Sequence, residues 1–394
     1  MLICIFHKEV FMTNGKDNVA LGREIGFMRL LPAIIVVLAS ALALPFASNL
    51  YVGIAASGIC SFFLIATAKK KIPVLLMLLL LIGTLGLPDG LPMITILLAL
   101  TVGTGTYAWL LSYAPSPYLA IIPVLAYSAT TVITKNWFGS LFALSFAIPA
   151  IVLAHSFKAN ASRIGGICRT SISFIIIACV GVVVSMLYYR GEFKLEALRD
   201  YADSFTASIS EIFLNTEVEL LSGETEALFT EDEAYNMALR IVTLFPAIAV
   251  LFFNSVSFFA QRLQFSLIKE TLGDDAVSGR SIAFILSPFA GGAYVLSFLI
   301  STLTNSSPLD KTVNTVCQNI FVILTPALMG MGIMYFFAKM AIKRVKTGPL
   351  IIIGVLVLLF FNTQAALMLV ACFGAYASIS IPILTYLKEK SSKE

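Results

Sequence analysis

The stretch Arg190–Arg240, RGEFKLEALRDYADSFTASISEIFLNTEVELLSGETEALFTEDEAYNMALR, is the only long polar passage between two blocks of near-continuous apolar sequence. It carries twelve carboxylates, more than half of the 22 acidic residues in the chain, against Arg190, Lys194, Arg199 and Arg240. Each charge in lipid costs a few kcal/mol or more, so the segment must stand in water between two membrane blocks. The chain is 59% hydrophobic and 12% charged with a mean hydropathy of +0.94, whereas soluble domains hold roughly 25% charged residues. Its apolar runs approach the ~20 residues that span a bilayer as helix, not the short alternating segments of barrel strands. The expected fold is all-α, a polytopic transmembrane helical bundle of about twelve spans with an extracytoplasmic acidic helical loop.

Basic residues set the expected orientation. Lys69, Lys70 and Lys71 follow the second apolar run, and Lys158, Arg163 and Arg169 follow the sixth. Both clusters fall on the cytoplasmic side if the acidic segment lies outside. The same count puts the N-terminus and the tail with Lys388, Lys390 and Lys393 in the cytoplasm, and the protein in the plasma membrane. The resulting divisions are a cytoplasmic segment 1–27, a membrane block 28–189 of about seven spans, the acidic loop 190–237, a second block 238–387 of about five spans, and a tail 388–394. The expected spans are 28–47, 51–68, 72–87, 93–113, 118–133, 137–157, 171–189, 237–267, 281–303 and 313–341, with the stretch 350–387 read as two helices, the first short. No apolar h-region with a small-residue cleavage site marks a removable signal peptide.

Within the acidic loop, Leu195, Leu198, Ala202, Phe205, Ile209 and Ile212 recur at helical spacing and predict an amphipathic helix. Its apolar stripe can pack inside the loop, on a partner or on the membrane surface, and repulsion between acidic faces and anionic lipid favours the first. Ser222-Gly223 predicts a break before a second helix. Thr230 and Glu233 have capping-box spacing, so a helix is expected to start outside and run into the eighth span.

Several chemistries have no support in the sequence. The six cysteines are scattered without a Cys-x-x-Cys pair, and neither His7 nor His155 belongs to a zinc pattern, so no metal and no cofactor are expected. There is no serine elbow and no pair of membrane aspartates, so no enzyme is expected either. The small net charge of +4 comes from clusters between apolar runs and is topology information, not a nucleic-acid footprint. Asp89, between prolines and a glycine, suits a tight turn better than an ion site.

The candidate functional residues are the polar groups and helix breakers at membrane depth. Asn254, Gln261, Arg262, Gln318 and Asn319 could line a cavity or join helices, because an unpaired amide in hydrocarbon is costly. Pro246, Pro288, Gly291, Gly292 and Pro326 are candidate helix breakers. Ala39, Ala43 and Ala47 place small side chains in one stripe where another helix could approach closely, although alanine is common in any membrane helix.

The residues Leu244-Phe-Pro246-Ala, Phe259-Ala-Gln-Arg262, Pro288, Pro326-Ala-Leu-Met-Gly330 and Tyr335-Phe-Phe337 resemble the YybS family of uncharacterised bacterial membrane proteins. The resemblance covers roughly residues 192–387. Where that family commonly shows two adjacent basic residues, this chain has Gln261-Arg262. In general helical architecture the family looks like the substrate-binding components of energy-coupling-factor transporters. Such components present alanine-rich faces to a partner subunit, which would suit Ala39, Ala43 and Ala47.

Two functions fit these residues. One is a small-molecule transporter or substrate-capture component, with a small-molecule substrate and possible transporter partner subunits. No carboxylate sits inside a span, so proton coupling is not expected and the energy would come from a partner or a downhill gradient. The other is a membrane scaffold or regulator that docks envelope proteins through the acidic loop, in which the buried amides act as interhelical glue worth about 0.6 kcal/mol each. In both, the lipid bilayer is the first partner.

Overall fold

The computed structural model describes residues 27–44, 91–113, 117–191, 194–215, 217–219, 225–227, 229–273, 286–303, 308–342 and 363–391. These are helical almost throughout. In chain order the helices are α1 (Phe27–Ala43), α2 (Leu91–Tyr113), α3 (Ile121–Thr134), α4 (Ala147–Lys158), α5 (Arg163–Arg190), α6 (Leu195–Leu214), α7 (Glu231–Leu272), α8 (Pro288–Leu303), α9 (Pro308–Ile342) and α10 (Thr363–Ser391). Short 3-10 segments, Pro117–Ala120 and Gly139–Leu144, precede α3 and α4.

Among the described residues, four segments are long and apolar enough to cross a membrane: Gly139–Lys158, Arg163–Tyr189, Glu231–Thr271 and Thr312–Phe337. Five shorter apolar helices accompany them. Large apolar side chains lie on the outer surface, among them Val132 at 76% and Phe289 at 75% exposure. In water such a surface would be an aggregation liability; against lipid tails it is the expected outer layer. The expected spans 51–68 and 72–87 and the short eleventh span lie outside the described residues.

The helices form two compact units, and these differ from the sequential blocks 28–189 and 238–387. One unit groups Val183–Leu251 with Ala283–Glu394, and the other groups Phe11–Val182 with Phe252–Ile282. Helices α5 and α7 contribute residues to both. Sequence blocks miss this because α7 has 42 residues, about 63 Å at 1.5 Å per residue, roughly twice the ~30 Å hydrocarbon layer. One helix of that length can enter two cores.

In the second of these units the core is α1, α2, α4 and the end of α7. Helix α2 is apolar on every side and is buried accordingly, with Val102, Ala108 and Leu110 fully enclosed. Tyr107 meets Phe146 edge to face at 5.6 Å, and its hydroxyl donates to the Leu119 carbonyl at 3.1 Å. Gly105 lets α7 approach: a Cβ there would stand 2.8 Å from the Ala260 carbonyl oxygen. Helix α5 starts eight residues before the expected boundary because Ser162 caps it, accepting the Gly165 N–H on its hydroxyl at 3.1 Å. Arg163 and Arg169 are therefore helical.

In the other unit, α8, α9 and α10 pack around Tyr294, Leu328, Met331, Ala371 and Ala375. The α9–α10 crossing brings backbone against backbone. A side chain on Gly374 would fall on the Leu328 carbonyl oxygen, and one on Gly332 would fall on the Val370 carbonyl oxygen. Small residues at such crossings are what lets helices associate without a hydrophobic driving force. Pro288, expected inside a span as a breaker, instead opens α8, where its missing N–H has no intrahelical bond to lose. Gly291 and Gly292 do not interrupt α8. Gly291 accommodates Ser378 and the Ala375 carbonyl of α10, and Gly292 faces open space. Pro326 is likewise spanned by a continuous α9.

The two helices expected around the acidic loop are α6 and the start of α7 at Glu231. Between them β1 (Glu217–Glu219) and β2 (Thr225–Ala227) pair antiparallel with Val218 opposite Glu226, and Ser222-Gly223, expected to separate the helices, lies outside the described residues. The buried edge of α6 is Ala197, Thr206 and Ser210, whereas Phe205 and Ile212 of the expected stripe are 46% and 66% exposed. The capping box forms in full: Glu233 Oε2 accepts the Thr230 N–H at 3.0 Å, and the Glu233 N–H donates to Thr230 Oγ1 at 3.4 Å. The last helix runs through Ser391, so Lys388 and Lys390 are helical.

Replacing Gly374 by Val is expected to prevent α9 and α10 from closing and to abolish monodisperse extraction in mild detergent. Gly292→Ala should be neutral within about 0.5 kcal/mol in thermal melting followed by size-exclusion chromatography.

Candidate solute site

Polar side chains are few in the described helices, and the structure brings most of them into pairs. Asn254 of α7 accepts the Ser171 hydroxyl of α5 at 2.6 Å, beside the parallel stack of Phe174 and Phe253 at 5.5 Å. Gln261, 6% exposed, donates from Nε2 to the Arg163 carbonyl at 3.0 Å and so ties α7 to the first turn of α5. One turn further, fully buried Gln264 donates from Nε2 to Ser112 Oγ of α2 at 2.8 Å. Ser112 spends its own proton on the Ala108 carbonyl at 2.7 Å, which fixes the direction of the amide.

That arrangement leaves Gln264 Oε1 without a partner. It is not alone. Thr104 and Thr106 of α2, Ser156 of α4 and Ser257 of α7 are also buried, and their hydroxyls make no hydrogen bond within the protein. Buried polar groups are nearly always paired, so such groups mark places where a water could sit, and two of the five, Gln264 Oε1 and Ser156, belong to residues that line one cavity. Gln264, Gln261 and Ser156 share a cavity with Ser162 and Gly166; its volume of about 10 Å³ holds one water.

In the other unit, Asn319 pairs with the α7 backbone on the rung beside Pro246. An uninterrupted helix would join the Ala247 N–H to the Thr243 carbonyl. Here Asn319 Oδ1 accepts the Ala247 N–H at 2.9 Å and Asn319 Nδ2 donates to the Thr243 carbonyl at 2.9 Å. The amide of α9 is thus inserted into the α7 ladder beside the proline, one of the known causes of a helix bend. Residues chosen separately from the sequence, one as a breaker and one as an amide at depth, act as a single feature. Thr325 makes a smaller adjustment beside Pro326, donating to the Phe321 carbonyl at 2.7 Å.

Other candidates are not gathered. Gln318 and Arg262 are exposed. Ala39 is half-buried, and the packed face of α1 is Ala33, Val36, Val37, Ser40 and Ala41. Ala47 and the side chain of Ala43 lie outside the described residues. A second cavity of about 140 Å³, between Tyr294, Phe298, Phe321, Met368 and Cys372, is lined almost wholly by apolar atoms and offers little to orient a polar solute.

Sequence reasoning missed Gln264, Ser112, Ser156 and Ser171. Gln264 was legible: it stands three residues after Gln261 and shares its helix face. The serines carried no signal, because serine is compatible with any position in a membrane helix. The chain matches no family model, no curated protein and no solved structure.

Substituting Asn319 by Leu removes the side-chain partner of the Ala247 N–H and the Thr243 carbonyl, at about 1–3 kcal/mol in all. The expected result is a clear fall in the detergent melting temperature. A smaller fall is expected for Pro246→Ala in an Asn319→Leu background, where the N–H gained at position 246 can bond the Val242 carbonyl.

Proposed function

We propose that this chain is an integral plasma-membrane protein of about twelve spans, both termini cytoplasmic, that captures or transports a neutral, hydrogen-bonding small molecule. The observation that carries the reading is the set of unpaired buried groups, Gln264 Oε1 with Ser156, Ser257, Thr104 and Thr106. Together they offer acceptors and donors but no charge, and in hydrocarbon they would each cost free energy without an occupant. Gln264 and Ser156 line a cavity with room for one water, and a hydroxyl- or amide-bearing solute would take that water's place as the surrounding helices part. Among the described residues the four long and five shorter apolar helices each overlap an expected span. We assign no catalytic role and no cofactor.

The described spans contain no carboxylate at depth, since the acidic residues of α7 stand in its first turn and near its end. The energy for transport would therefore come from a partner subunit or from the solute gradient. The resemblance to the YybS family, and through it to energy-coupling-factor components, agrees with a partner-driven capture component.

A scaffold is the second reading, and the exposed apolar residues on α6 favour it. Phe205 and Ile212 stand at the surface among the carboxylates of the loop, an arrangement that suits a basic envelope protein with an apolar patch.

The test is native mass spectrometry of tagged protein extracted in mild detergent from its own membrane, scoring bound metabolites and co-purifying subunits. Capture predicts a retained neutral metabolite, or an ATPase pair in fixed stoichiometry, and loss of the metabolite in Gln264→Leu. An empty chain that instead carries envelope proteins, and releases them when residues 194–229 are exchanged for a Gly-Ser linker, would overturn capture in favour of the scaffold.

A further inference from the structure

Helices α8, α9 and α10 do not close fully on one another. The cavity of about 140 Å³ that they leave is walled by aromatic rings: Tyr294 stacks on Phe321 at 4.6 Å, and Phe298 tilts against the same ring at 5.8 Å. Protein interiors hold few voids larger than a water molecule, because atoms lining a void forgo dispersion contacts. Water does not supply them here, since it needs two to four polar partners and this lining is almost wholly apolar. A dry apolar cavity of about 150 Å³ instead takes up a guest the size of benzene.

The place where the cavity opens identifies the guest. Tyr294 is buried in the core of its unit, whereas Val295, Phe298 and Leu299 are 43%, 43% and 48% exposed, and Cys372 is exposed as well. The void therefore runs from packed interior to outer surface. Every lining residue falls within the apolar segments Pro288–Thr302, Thr312–Phe337 and Leu367–Pro382. At that depth of a bilayer the surrounding medium is acyl chain, present at a concentration that no dissolved solute matches.

We infer that the cavity between α8, α9 and α10 is a binding site for one acyl chain of a membrane phospholipid. The chain restores the dispersion contacts that the three helices do not make with each other, and its headgroup stays outside the site. No residue of the site takes part in the solute reading, so the failure of either leaves the other standing.

The experiment is native mass spectrometry of the full chain in a steroid detergent, whose rigid ring body does not mimic an acyl chain, with phosphatidylcholine as the probe. Wild type should retain a single phospholipid after the remaining lipid is washed away. Val295→Phe and Cys372→Phe each enlarge a lining side chain and should lose it. Leu296→Phe, exposed on the same helix outside the cavity, should keep it. A second measurement on wild type stays valid if the filled variants do not fold. Added phosphatidylcholine should slow modification of Cys372 by N-ethylmaleimide and leave exposed Cys179 of α5 unchanged, each thiol being read by peptide mass spectrometry. No retained lipid in wild type, full retention in both filled variants, an equal loss in Leu296→Phe, equal protection of the two thiols, or a retained guest that is not a lipid would overturn the site.

Discussion

In an apolar medium a polar group must find its partner inside the protein, and this single constraint organises the described helices. The Thr243–Ala247 rung illustrates it. Proline disturbs the ladder at Pro246, no water is at hand in hydrocarbon, and the amide of Asn319 on another helix pairs with the rung beside it. Asn254 with Ser171, and Gln261 with the Arg163 carbonyl, follow the same rule in the other unit. The exceptions therefore gain meaning. Gln264 Oε1 and the hydroxyl of Ser156 stay unpaired beside a cavity with room for one water.

Packing obeys a second constraint that lipid imposes. Lipid tails are as apolar as leucine, so the helices gain little from burying leucine against leucine and instead gain from close van der Waals fit. Gly332 and Gly374 at the α9–α10 crossing, and Gly105 against Ala260 in the other unit, are where that fit is closest. Exposed Val132, Phe289 and Leu296 form the kind of apolar surface that lipid tails cover.

Much of this was legible in the residues, and the gaps have physical reasons. Hydropathy marks apolar helices because it measures the property that lipid selects, and the Thr230–Glu233 box was legible because capping is local. Asn319 and Pro246 could each be flagged, but not their meeting, since 73 positions separate them and pairing is tertiary. Gly374 was within reach: Ala371, Gly374, Ala375 and Ser378 recur at helical spacing and form a stripe of small residues. Ala39 drew attention instead, although α1 packs through Val36 and Val37. The hairpin around 217–227 was hidden because strands of three residues are too short for alternation to register. The α5 boundary was placed late because arginines in a first helical turn look like loop charges.

The capping box has a consequence for how the gene can change. It fixes where α7 begins, with the cap Thr230 standing 13 residues before Thr243, and the helix between is continuous. Each residue of a helix turns the chain by about 100°. Adding or removing one residue in that interval would rotate Thr243 and Ala247 away from Asn319, or else uncouple the helix from its cap. A substitution there alters one side chain, whereas an insertion or deletion alters the phase of everything that follows. The interval from Thr230 to Thr243 should thus vary in composition but not in length.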